Sequence, residues 1–286
     1  MTVTVVRHSS PHELDESAVD ELADELKGSI QDLGTSPTLF GMALNEASLL
    51  VQARIGINPR ADLLKTWEAV VCAMQVGEAA FAAAVAVEGN VRRRVVEEVR
   101  SIPATGPQFY ANAGNWLTSL WFVIICRDRQ RMDAMCKVPL DVLRSSGSLG
   151  DEYVYHWVDA LQAYWLEDPR LIGELTAAIE QSHPEVAMTA PRDLLQNVLY
   201  PPMNLFHAFL RKDHDGFNAA LVESLELHKS YWTANEERAG DFAGALALGP
   251  LAIACLAFDA GFPIEVESDY LPYHLLRRTW VGEFPT

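Results

Sequence analysis

Hydrophobic residues recur at three- and four-residue intervals through most of the chain, in runs covering roughly 14–33, 37–56, 59–88, 111–127, 129–145, 151–167, 169–182, 191–211, 216–234, 243–259 and 268–276. Such a period sets one apolar stripe against one polar face, so each run predicts an amphipathic helix. Ser36-Pro37, Asn58-Pro59 and Asp168-Pro169 each put a capping side chain ahead of a proline suited to a first helical turn, and helix starts are expected there. The stretch NVRRRVVEEVRSIPATGP, residues 90–107, breaks the period. Val91, Val95 and Val99 fit alternation better than a stripe, and two prolines follow. A short exposed β-hairpin or loop is expected near 90–103, with Arg92, Arg93 and Arg94 on a solvated surface.

Three junctions resemble one another: IICRDRQRMDAM, YWLEDPRLIGEL and AFLRKDHDGFNAAL. In each, an aromatic-rich helix ends at a charged turn carrying an aspartate, and these aspartates (Asp128, Asp168, Asp213) lie 40 and 45 residues apart. The spacing fits stacked helix pairs of the solenoid kind, closed into a compact body. The expected fold is therefore all-α, an array of antiparallel helix pairs forming one domain over 1–286, with about the first ten residues outside the ordered body.

Composition agrees with a large buried core: 49% of the 286 residues are hydrophobic. The dense apolar run NWLTSLWFVIIC, residues 115–126, is shorter than the ~20 residues a bilayer crossing needs, so it reads as a buried helix and no membrane partner is expected. MTVTVVRHSSPHELDES has no apolar segment of the signal-peptide type, which predicts a cytoplasmic chain. Cys72, Cys126, Cys136 and Cys255 are scattered, as reduced core thiols would be, and form no zinc-type set. A net charge of −17 argues against direct nucleic-acid binding and suits a basic protein partner.

No phosphate loop, HExxH, GxSxG or EF-hand pattern occurs, so no cofactor or metal is expected. Attention falls instead on polar residues within the helical patterns. In DEYVYHWVDALQAYWLEDP, residues 151–169, Glu152, His156 and Asp159 form one row opposite Val154, Trp157, Val158, Leu161, Tyr164 and Trp165. Alone, such a row gives only part of a metal shell, and it reads as a solvated face open to a partner. Asn204, His207 and Arg211 form a second row of the same kind. Glu78 and His228 fall on apolar stripes, where a titratable group must be paired, neutral or functional. A pocket holding Glu78, Tyr155, His156, His207 and His228 would make them candidate acid–base groups. Trp280 and Phe284 are expected to pack the C-terminal tail onto the body.

The blocks TWEAVVCAMQVGEAAFAA, YVYHWVDALQAYWL, YPPMNLFHAFLRKDHDGFNAAL and LGPLAIACLAFDAGFPIEVESDYLP together resemble the immunity 49 family, from about residue 36 to the end. Members occur in actinobacteria and are classed as immunity proteins of polymorphic toxin systems. The resemblance implies a cytoplasmic protein that binds and blocks a cognate toxin, and it brings no catalytic residues. Two readings stand. One is an immunity-type interaction protein with a basic toxin as partner and Glu152, His156, Asp159, Asn204, His207 and Arg211 as its contact rows. The other is a small-molecule enzyme or ligand-binding protein built on the five-residue pocket.

Overall fold

A computed structural model describes residues 2–9, 14–284 and 286. Its elements run β1 (Val3–Thr4), α1 (Glu16–Gln31), α2 (Phe40–Ile57), α3 (Leu64–Val85), β2 (Asn90–Val95), β3 (Glu98–Pro103), α4 (Ala113–Cys126), α5 (Arg129–Met135), α6 (Leu140–Arg144), α7 (Glu152–Trp165), α8 (Leu171–Gln181), α9 (Arg192–Leu194), α10 (Pro201–Leu210), α11 (His214–Trp232), α12 (Glu236–Ala239), α13 (Leu248–Asp259), β4 (Val266–Glu267) and α14 (Tyr273–Leu276). The fold is predominantly α-helical with one antiparallel hairpin, β2–β3, whose register pairs Val95 with Glu98 and Val91 with Ile102.

Consecutive helices pack on one another, α1 on α2, α2 on α3, α3 on α4, α7 on α8 and α10 on α11. Late in the chain, α13 returns to α4 and α10, so the array closes on itself. The helix at its centre is α3, which is buried over most of its length between α2 and α4. Gly77 lets α4 come close. A Cβ built there would lie 2.5 Å from the Ser119 hydroxyl oxygen and 2.6 Å from its Cβ, well inside van der Waals contact.

The three aspartate junctions share a turn. Arg127, Glu167 and Lys212 each take a positive φ of 55° or 56° at a helix end, and the next residue is the aspartate. Asp128 and Asp213 then accept the Arg131 and Gly216 amides as caps of α5 and α11, while Asp168 accepts the Arg170 amide in the turn before α8. At Glu167–Asp168 and Lys212–Asp213 the backbone closes with paired bonds to carbonyls three and five residues back, the Schellman arrangement. Gly261 ends α13 the same way with φ 85°.

Several expectations shift. α3 starts at Leu64, not beside Pro59, because the Asn58 side-chain oxygen is committed to the Leu63 amide and the Thr66 hydroxyl beyond an intervening turn. Ser36 gives no side-chain cap, although Pro37 does open a short 3₁₀ turn leading into α2. Pro139 divides 129–145 into α5 and α6, since proline lacks the amide an internal turn requires. Pro201-Pro202 follows a π-helical turn, Leu195–Leu199, instead of a continuous α-helix. Apolar density is also wider than the 115–126 run: Leu64–Val85 and Phe242–Asp259 are both long and apolar enough to cross a bilayer by length and composition. In α3, however, 83% of that window is buried within the protein, and the second stretch changes at Leu246–Ala247 from a 3₁₀ turn to α13.

Residues 3–8 are held on the body, although about the first ten are expected outside it. β1 pairs in parallel with β4, Val5 is 1% exposed, and the Arg7 guanidinium donates to the Ile55 and Gly56 carbonyls at the end of α2. At the other end, the Trp280 indole N–H donates to the Ala61 carbonyl at 2.7 Å and its ring meets Phe284, holding the tail as expected.

Candidate functional site

The aromatic side of α7 is structural. Trp157 meets Trp121 of α4 and Phe206 of α10, and Tyr164 meets Phe206 and Phe209. The contacts continue through Phe262 to Phe217 of α11, joining four helices through ring packing.

The polar row of α7 is used inside the molecule. Glu152 accepts both terminal nitrogens of Arg144 at 2.8 and 2.7 Å. His156 Nδ1 lies 2.7 Å from Glu174 Oε2, with Gln181 on its other ring nitrogen. Asp159 is buried, not solvated as expected, and accepts Arg170 Nη1 through both oxygens at 3.1 and 2.9 Å. Burial pushes the Asp159 carboxyl pKa up, against the opposing pull of Arg170. Tyr155 is buried beneath the Arg144 guanidinium, 4.0 Å from its ring centre.

The second row has no such partners. α10 and α11 border a groove of about 360 Å³ that includes Asn204, His207 and Arg211 from one side and Asp213, Gly216, Ala219 and Glu223 from the other. His207, Arg211 and Glu223 are exposed. Among the described residues, none of the side chains of Asn204, His207, Arg211 and Glu223 has a hydrogen-bond or ion partner. The groove therefore offers uncommitted donors and acceptors on rigid helices, which suits a polar macromolecular surface.

Glu78 and His228 lie in separate settings. Glu78, 3% exposed, accepts from Arg93 Nε of β2 at 2.7 Å and from Arg131 Nη1 of α5 at 3.4 Å, and Arg131 also donates to Asp128. A cavity of about 220 Å³ opens beside it between the end of α3, β2 and the end of α5. His228, 5% exposed, sits 3.1 Å from the Gly244 carbonyl and meets the Tyr270 ring, while His8 bonds the Tyr270 hydroxyl at 2.7 Å. Desolvation drives the His228 pKa down to about 4, so the ring is neutral at neutral pH.

The proposed five-residue pocket is thus not assembled. Glu78 borders the hairpin cavity, His207 the α10–α11 groove, His156 meets α8, and His228 meets Gly244 and Tyr270. Among the described residues, no group of three or more His, Cys, Asp or Glu is placed to hold a metal ion. The four cysteines are free and buried, and desolvation raises all four thiol pKa values, to about 12 for Cys72 and Cys136 and about 11 for Cys255.

The family described as Immunity protein 49 matches residues 58–275, most of the chain. The chain belongs to that family. The match supports an immunity-type role in general and, with it, a toxin as partner. No curated protein and no solved structure matches this family member significantly.

Sequence reasoning about this immunity-family chain missed Arg93 and Arg131 as the partners of Glu78. One signal was available: Arg93 shares the alternating face of Val91 and Val95, and Val95 is fully buried, so that face turns inward. No local pattern marked Arg131, which is 53 residues from Glu78, or Glu223 opposite the α10 row.

Proposed function

We propose that this protein neutralises its cognate toxin by binding it directly, with the α10–α11 groove at the centre of the contact. One observation supports this reading above the others: among the described residues the side chains of Asn204, His207 and Arg211 end without partners, whereas Glu152, His156 and Asp159 are spent on Arg144, Glu174 and Arg170. Glu152 and Asn204, the first members of the two rows, lie 52 residues apart, yet only one row is left for a partner. A net charge of −17 would draw a basic toxin toward the surface and speed encounter, with association weakening as salt screens the field. The proposed place of action is the cytoplasm of the cell being protected.

The test is capture of the toxin with the purified protein at low salt, followed by assay of toxin activity with and without excess protein. Inhibition that is lost on Ala219→Trp, which obstructs the groove from an exposed position without changing charge, with folding intact, supports the reading. A toxin that stays fully active in the presence of excess wild-type protein removes it.

A further inference from the structure

We propose that the cavity beside Glu78 is a binding site for a small amphiphilic carboxylate, a compact apolar body carrying one negative charge. Its walls are mostly hydrocarbon, from Phe81, Ala82 and Val85 of α3 and Met135 and Val138 at the end of α5. About 220 Å³ is enough for a body of six to eight non-hydrogen atoms, at roughly 30 Å³ each by the volume of liquid water. Three ionisable side chains border it: Glu78, Arg93 and Lys137.

The charge balance of those three selects the ligand's sign. Both Glu78 oxygens are already engaged, one by Arg93 and one by Arg131, so the carboxylate is neutralised and offers little to a cation. Arg93 uses Nε on Glu78 and Nη1 on the Arg92 carbonyl, leaving Nη2 uncommitted among the described residues. Lys137 is exposed and has no ion partner among the described residues. Two cations with spare donors thus border an apolar cavity in a protein that is otherwise strongly acidic. Apolar walls with a few convergent polar groups are the usual construction of a small-ligand site, and a carboxylate accepts readily from guanidinium and ammonium donors. Rigidity is already present, because Glu78 locks Arg93 and Arg131 in place before any ligand arrives.

The inference stands apart from toxin binding, since the cavity and the α10–α11 groove share no residue. Sodium hexanoate is the probe, with 1-hexanol and n-hexylammonium chloride as controls of equal length and different charge. Titration of ¹⁵N-labelled full-length protein should give saturable shifts with hexanoate at the Ala82, Ala86 and Ala134 amides, weaker shifts with hexanol, and none with hexylammonium. Lys137→Ala should weaken hexanoate about tenfold, the loss of one charge-assisted bond. Ala82→Phe, which fills the cavity from a half-buried position, should abolish binding, and Ala86→Leu serves the same purpose if the first variant does not fold. Absence of hexanoate shifts, equal binding of hexylammonium, or undiminished binding in a folded cavity-filling variant overturns the proposal.

Discussion

Glu78 Oε1 lies 2.7 Å from Arg93 Nε, tying a carboxylate in the middle of the core helix α3 to the hairpin strand β2. Arg131 completes the pairing from α5, so three separate elements meet on one buried charge. Removing one partner from such a set leaves another charge uncompensated, which costs more than the pair contributes. Glu78→Gln should therefore lower unfolding free energy by about 3 kcal/mol in chemical denaturation. Arg93→Met should cost less, because its side chain is 35% exposed and water can serve in its place. Equal stability of Glu78→Gln and wild type would show that the carboxylate is not a structural member of the fold.

His228 sets an acid limb on stability. Its folded pKa of about 4 lies below the ordinary 6.5, so the unfolded chain binds the proton more tightly. Stability from this group is full above pH 6.5 and falls as pH drops from there toward 4. The total over that window is about 3 kcal/mol. His228→Gln should lower stability at pH 7 and flatten the decline between pH 7 and 4, measured by urea denaturation across that range.

Arg127 and Lys212 share a left-handed backbone and should respond oppositely to glycine. Lys212 is exposed, so Lys212→Gly relieves the conformation and should gain about 0.5 kcal/mol after glycine's own entropic cost. Arg127 donates to the Ile125, Leu275 and Leu276 carbonyls and pairs with Asp259. Arg127→Gly should lose about 3 kcal/mol, since the end of α14 is left without its donors. Thermal unfolding of the two variants side by side separates them.

Gly77→Ala places a methyl where Ser119 already sits, and should destabilise by about 1–2 kcal/mol despite alanine's better helix propensity. Gly77→Ala combined with Ser119→Gly should recover part of that loss. A strictly additive double variant would mean that the two helices are not in close contact at this point.

The two polar rows predict different phenotypes. Ala219→Trp and His207→Ala should leave the melting temperature within about 1 °C of wild type, because both positions are exposed and the His207 side chain has no partner among the described residues, while toxin neutralisation weakens about tenfold. Asp159→Asn removes a charge that burial disfavours even beside Arg170, so it should leave toxin neutralisation unchanged and alter only the pH dependence of stability, read by urea denaturation from pH 7 to 4.

Helices, their stripes and the hairpin are legible in the sequence because each is a local property, set within a few residues by side-chain spacing, capping and proline. The three aspartate turns were legible for the same reason: one backbone solution recurs at Asp128, Asp168 and Asp213. Errors within this local reading came where a nearby group competed, as when Asn58 was drawn to Leu63 and Thr66.

By itself the sequence determined a helical protein with two polar rows and two misplaced titratable residues. Only the tertiary structure decided which of these were already satisfied. Glu78 meets Arg131 across 53 residues and His156 meets Glu174 across 18, distances at which spacing along the chain carries no information about pairing. A polar face looks the same in sequence whether another helix or a partner will cover it. Packing α8 and α6 against α7 consumed one row, and the groove between α10 and α11 left the other free.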